Sequence, residues 1–154
     1  MWEEIDINDK TGIDELVNLW NNRLGRMTAE LDENIIESVL MKKRDAHYYL
    51  FKGIHVKMLI GLKHDISDET TYIFNISSDS YVNEMGNQSK VMEMWDAYQQ
   101  IITLLLKKFK RKVKLVKWDE SIRIQSVIDA AVDFYAVYGI KATNTERFWM
   151  FELM

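Results

Sequence analysis

The 154-residue chain is predicted to fold as one α/β (α+β) domain, residues 1–154, with the element order β-α-α-β-β-β-α-β-α-β. Three observations carry this. Apolar residues recur at helical spacing as far as about residue 43; the period then becomes that of strands between 48 and 76; helix and strand patterns alternate from 89 to the end. With 47% hydrophobic and 29% charged residues, the chain can bury one substantial core and has no room for a second domain.

Trp2, Ile5 and Ile7 allow a short first strand. Thr11-x-x-Asp14 resembles a capping box, in which a hydroxyl and a carboxylate satisfy the free amides of a new helix. Ile13, Leu16, Val17, Trp20 and Leu24 follow at helical spacing, and a second helix, Ala29 to Lys43, places Leu31, Ile35, Ile36, Val39 and Leu40 on a buried face. Tyr48 to Phe51 reads as a strand and Lys52-Gly53 as a turn. Ile54, Val56, Met58, Ile60 and Leu62 then alternate with His55, Lys57, Leu59, Gly61 and Lys63, which predicts a strand with one buried face. The polar turn Asp65 to Glu69 leads into Thr71-Tyr72-Ile73-Phe74-Asn75-Ile76, completing a three-stranded meander. The longest helix, Ser89 to Phe109, carries Val91, Met92, Trp95, Tyr98, Ile102, Leu105 and Phe109 on the face expected to pack on a sheet. A strand 113–118, a helix 121–138 and an aromatic terminal strand Arg147 to Leu153 close the chain.

Composition excludes several functions. With no cysteine there is no disulfide framework, thiolate zinc site or cysteine nucleophile. No apolar run approaches the ~18 residues of a membrane helix, and Met1-Trp2-Glu3-Glu4 is acidic where a signal peptide is basic, so no membrane is expected and cytoplasmic is the default location. His47, His55 and His64 stand eight and nine residues apart without a metal-binding motif, and no metal is expected.

The net charge of −4 conceals an asymmetry. Between Lys107 and Lys117 seven residues are basic and none acidic; the remaining 13 basic and 24 acidic residues leave −11. An acidic body argues against general nucleic-acid binding, which depends on neutralising phosphates. The basic run has three readings: cations opposing a helix C-terminal dipole, a contact for a small polyanion such as an adenosine 3′-phosphate, or a small nucleic-acid contact.

The last third carries a family resemblance. Strand Val113-Lys114-Leu115-Val116 leads into a helix that ends in Phe134-Tyr135-Ala136-Val137-Tyr138-Gly139-Ile140. Ala131, Tyr135 and Gly139, with Ile140 in place of Phe, match the Ala-x-x-x-Tyr-x-x-x-Gly-Phe helix terminus of the GCN5-related N-acetyltransferases (GNAT), which a final antiparallel hairpin follows. The predicted element order is also that family's. The resemblance implies a mixed central sheet with helices on both faces, and acetyl-CoA bound in the splay between the strands at 71–76 and 113–118, with the amides of the first strand, to Ile76, engaging the pantetheine.

It also implies a pyrophosphate loop, Gln/Arg-x-x-Gly-x-Gly/Ala, whose amides and helix start hold an anion. The matching stretch is Asn83-Glu84-Met85-Gly86-Asn87-Gln88, with only Gly86 at a fixed position, followed by Ser89 and Lys90. A second register, Gln88-Ser89-Lys90-Val91-Met92-Glu93, keeps Gln, lacks both glycines and brings in a carboxylate. Read without a cofactor, the loop simply caps the long helix, with Ser89 as N-cap.

Tyr135 stands where the family often keeps the general acid for the departing thiolate, and its plain alternative is an aromatic core residue beside Ala131, Phe134 and Tyr138. Tyr138 is the substitute. Asp79, after the strand, is the candidate base for the amine, against a solvated turn carboxylate. Trp95 and Trp149 read as core, whereas Trp118 either lines an acceptor cleft or packs at an exposed edge. The implied activity is transfer of an acetyl group from acetyl-CoA to a primary amine of unknown identity by direct attack. The rival is a non-catalytic binding or assembly module on the same fold. The abundance of Asn, Ile and Lys fits an AT-rich source such as a phage or a low-GC bacterium. An exposed aromatic terminal strand, Phe148-Trp149-Met150-Phe151, would be covered by a second subunit in a homodimer.

Overall fold

The computed structural model describes residues 1–6, 11, 14, 46–78, 88–116, 125–145 and 147–154. Its elements are β1 (Trp2–Glu4), β2 (Ala46–Lys52), β3 (Lys57–Asp65), β4 (Thr70–Ser78), α1 (Gln88–Phe109), β5 (Lys112–Val116), α2 (Gln125–Val137), β6 (Ile140–Asn144) and β7 (Phe148–Leu153). Thr11 and Asp14 are helical, and the rest of the two expected helices before β2 lies outside the described residues. The seven strands form one sheet in the order β1-β2-β3-β4-β5-β7-β6. It is mixed: β4 and β5 are parallel, while β1–β2, β5–β7 and β7–β6 are antiparallel. The chain divides into two compact units, Met1–Leu62 with Asn75–Ala97, and Lys63–Phe74 with Tyr98–Met154.

In the first unit, β1 pairs with β2 in the register Trp2↔Phe51. The Trp2 indole N–H donates to the carbonyl of Ala97 at 2.7 Å, and its ring meets Phe51 at 5.4 Å, so a buried aromatic keeps its polar atom satisfied. β3 departs from the sequence reading in position and pattern. Residues 53–56 form a turn closed by the Gly53 amide on the Val56 carbonyl at 2.8 Å, which leaves Ile54 90% exposed. From Met58 to Leu62 every residue is buried, Leu59 and Gly61 included. A strand covered on both faces reads as a continuous apolar run, and Leu59 was the sign of it.

The second unit is built on β5, β7 and β6. Phe151 and Val113 are paired and buried, and Ile140 and Ala142 on β6 are buried as well. The terminal segment is the antiparallel hairpin that the family resemblance implies, although the residue pattern alone marked only its second strand. The short alternation Ile140-Lys141-Ala142 falls on its first strand, and Thr145 closes the turn by accepting from the Phe148 amide and donating to its carbonyl. β7 therefore lies inside the sheet between β5 and β6, with Trp149 and Phe151 buried. β7 thus presents no open edge for a second subunit to cover; the edge strand is β6.

The buried positions of α1 are Met94, Ala97, Ile101, Ile102, Leu105 and Leu106, a face turned from the predicted one, and Met92 is 65% exposed. Apolar residues surround much of this helix, so spacing alone allowed two neighbouring stripes. Its end is unusual. Lys110 sits at φ 53°, with its N–H on the Leu106 carbonyl at 3.1 Å, as the left-handed residue that terminates many helices. Glycine takes this conformation freely, whereas an L side chain costs roughly 1–2 kcal/mol. Lys110→Gly is expected to stabilise the protein by about 1 kcal/mol, read as an upward shift in the urea midpoint.

Candidate active site

α2 and the turn after it show what the Ala131-Tyr135-Gly139 signature does physically. Ala131 and Tyr135, one helical turn apart, are both 6% exposed and share the packed face of the helix. Gly139 has φ 75°, the left-handed conformation that ends a helix, and its carbonyl accepts from the Met154 amide at 2.9 Å. The three positions thus set the face, the ring and the stop.

The Tyr135 ring lies edge-on to Phe151 at 4.8 Å and to Phe134 at 5.3 Å. Burial pushes its phenol far above the ordinary tyrosine range, and neighbouring Tyr98 on α1 pushes the same way. Tyr98 is itself raised by desolvation. Burial disfavours the charged form of both phenols, and both are kept protonated. Tyr98 appeared in the sequence only as one residue of a helical face, and nothing local marked it as a partner of Tyr135. Tyr138 is 46% exposed against Phe134, at 5.4 Å, which puts it at the surface and away from the buried pair.

The other sequence candidates fall differently. Asp79, Asn83, Gly86 and Asn87 lie outside the described residues, as does Trp118. Ile76 belongs to β4, and the register of β4 with β5 runs from Thr70↔Lys112 to Ile73↔Leu115, whereas β4 continues to Ser78. Gln88, Ser89 and Lys90 open α1, whose first turn contains no acidic residue. Because the helix already includes Gln88, Ser89 stands within its first turn and is not the cap.

Glu93, the carboxylate of the second loop register, is committed elsewhere. One oxygen accepts the His55 and Val56 amides, each at 3.0 Å, and the other accepts Ile54 at 3.2 Å. Desolvation pushes its pKa up, but the three amides and the nearby His55 outweigh it and hold the carboxyl below its ordinary range. A Cβ on Gly53 would fall 1.8 Å from this carboxylate, so only glycine leaves room for it. No spacing in the sequence joins residues 38 positions apart.

Within the basic run, Lys114 and Lys112 have acidic partners. Lys114 bonds Asp68 at 2.7 Å, lies 3.8 Å from Asp65, and packs over the Phe148 and Tyr72 rings at 4.9 and 5.5 Å. Lys112 pairs with Glu152 at 3.4 Å. The histidines are dispersed: His47 meets Glu4 at 3.0 Å, His64 lies near the Thr71 hydroxyl and the edge of Phe109, and His55 sits in the turn held by Glu93. Among the described residues no group of three His, Asp or Glu could hold a metal ion. Among them, too, no helix is long and apolar enough to cross a membrane.

No protein-family model matches the chain, and no curated protein matches it by sequence. Solved structures do match. The aminoglycoside 6′-N-acetyltransferase of Enterococcus faecium is 14% identical, with a TM-score of 0.56 over 99% of this chain and 96% of its own. The chain has the GNAT fold. A spermidine N-acetyltransferase SpeG chimera from Vibrio cholerae and hSSAT shares this GNAT fold at 11% identity, TM-score 0.56, over 99% of this chain and 95% of its own. An aminoglycoside 6′-N-acetyltransferase complexed with coenzyme A does so at 12% identity, TM-score 0.51, over 99% and 96%. The mixed sheet is thus that of a GNAT scaffold.

Proposed function

We propose that the protein transfers an acetyl group from acetyl-CoA to a primary amine by direct attack. The observation that carries this reading is Tyr135, a phenol kept protonated in a packed site at the signature position of the fold. Two further observations support it. β4 extends to Ser78, so its backbone amides reach Ile76, where they suit the pantetheine, which pairs as an added strand would. The start of α1 at Gln88, Ser89 and Lys90 bears no carboxylate against a pyrophosphate, with Asn83, Gly86 and Asn87 supplying the preceding loop. Neighbours on this fold act on aminoglycosides and on spermidine, amines of different shape, so the acceptor remains open within that class.

In the proposed step the amine nitrogen attacks the thioester carbonyl, the C–N bond forms and the C–S bond breaks. The amine proton passes through water to Asp79, and the sulfur leaves as a thiolate. A thiolate with a conjugate pKa near 8.5 does not fully deprotonate a phenol above 10. Tyr135 therefore donates a hydrogen bond to the sulfur as charge develops, and solvent completes the protonation. Tyr135→Phe is expected to lower kcat about 100-fold with little change in KM for acetyl-CoA. Because burial raises the phenol's pKa, its acid form persists upward in pH, and kcat is expected not to fall through loss of this proton below about pH 10.

The rival reading has its own support. Tyr135 and Gly139 both have packing roles that need no cofactor, as a non-catalytic binding module would require. Calorimetric titration with acetyl-CoA separates the two. Binding that a Gly86→Glu variant loses supports the transferase, and absence of heat at about 1 mM cofactor, where even weak sites respond, supports the module.

A further inference from the structure

Beyond the C-terminal end of α1 lies a cationic cleft that the transfer reaction does not use. Its volume is about 470 Å³, within the range of small-molecule sites, and Leu106 and Leu153 supply its apolar lining. Lys107, Lys110, Arg111 and Lys112 line the remainder, with one carboxylate, Glu152. That carboxylate is shared between Lys112 at 3.4 Å and Lys141 at 3.7 Å. Among the described residues no carboxylate pairs with Lys107, Lys110 or Arg111, so the cleft holds a surplus of positive charge.

Neutralising the helix dipole accounts for Lys107 and Lys108, in the last turn of α1. It does not account for Lys110 and Arg111, which follow the helix. Lys110 is held at φ 53°, where glycine is the unstrained choice, and it lines the cleft from that position. The helix end itself opposes an anion with about half a negative charge. Lys107, Lys110 and Arg111, which have no carboxylate partner among the described residues, together exceed that opposition.

We propose that this cleft binds an organic phosphate, a compact di- or triphosphate whose anionic groups meet Lys107, Lys110 and Arg111 while its uncharged body rests on Leu106 and Leu153. Several cations gathered in one small cleft call for more than one negative charge on a compact group, and the planar fork of arginine matches phosphate oxygens in pairs. The cleft is at the opposite end of α1 from Gln88, Ser89 and Lys90, and the proposal is independent of the acetyl-transfer reading.

The test is calorimetric titration of ADP into the full chain at low salt, with and without saturating acetyl-CoA. One equivalent of ADP is expected to bind in both conditions, with Lys107→Ala and Arg111→Ala each weakening it about tenfold, the loss of one charge-assisted contact. Lys110→Gly is expected to weaken ADP binding similarly while raising the unfolding temperature, an opposition of sign that general damage to the fold does not produce. Inorganic triphosphate is expected to bind more weakly than ADP for want of the apolar contact; equal affinity would overturn the role given to the leucines. Absence of ADP heat at about 1 mM, or binding that acetyl-CoA abolishes and the three variants leave unchanged, would overturn the proposal. Loss of acetyl-CoA binding alone, with ADP retained, would sink the transferase reading and leave this site standing.

Discussion

Phe151→Ala is expected to cost the fold about 4 kcal/mol, the range measured for deleting a fully buried aromatic ring. Phe151 is 1% exposed, sits edge-on to Tyr135 at 4.8 Å and stacks on Trp149 at 6.1 Å. It also pairs with Val113 on one side and Ala142 on the other, so its side chain fills the middle of the second unit's sheet. Removing the ring forfeits its transfer energy and leaves a cavity that paired strands on both flanks prevent from collapsing. Against a typical total of about 5–15 kcal/mol, that is a large share. Urea denaturation checks it, and a loss under about 1 kcal/mol would show the site to be loosely packed. Phe151→Leu, which keeps much of the volume, is expected to cost less than half as much.

The second large effect is expected at Glu93. Its carboxylate accepts three backbone amides of the 53–56 turn, the junction that sets where β3 begins. Hydrogen bonds to a charged group contribute about 1.5–3 kcal/mol each where buried. Glu93 is only partly buried and water can replace part of that, so Glu93→Ala is expected to cost about 2–3 kcal/mol in total. The pH dependence has a definite sign. The folded carboxyl titrates below its ordinary value of 4.5, so its stabilisation is complete above that value and lost as pH falls through the lower folded pKa. Wild-type stability is expected to drop in acid below that value partly through this residue, and the variant to show a shallower slope there. Equal slopes would mean that the turn does not depend on the charge.

Much of the scaffold was legible in the sequence because it depends on local patterns. Strand–helix–strand alternation after residue 88, the polar turn at Asp65 to Glu69 and the signature from Ala131 to Gly139 are short-range features whose physics operates within a few residues. Asp65 and Asp68 show this in the turn: they accept the Ser67 and Thr70 amides two residues on, as acidic turn residues commonly do. The misread elements share a cause. The extent of β3 and the buried face of α1 each depended on what packs against the segment, which the pattern along the chain does not encode.

The candidate site divides in the same way. The sequence by itself determined the mixed α/β class, and its resemblance to the GNAT helix terminus nominated Tyr135 and Gly139, a match confined to a few residues of one helix and its end. Only the tertiary structure decided that Tyr98 faces Tyr135, that Glu93 is committed to the 53–56 turn, that β7 is interior, and that Lys110 and Arg111 share a cleft with Leu153. Each of these joins residues tens of positions apart. Long-range contacts form where buried apolar surface and satisfied polar groups together outweigh the entropy of closing the chain, and that balance belongs to the folded molecule as a whole.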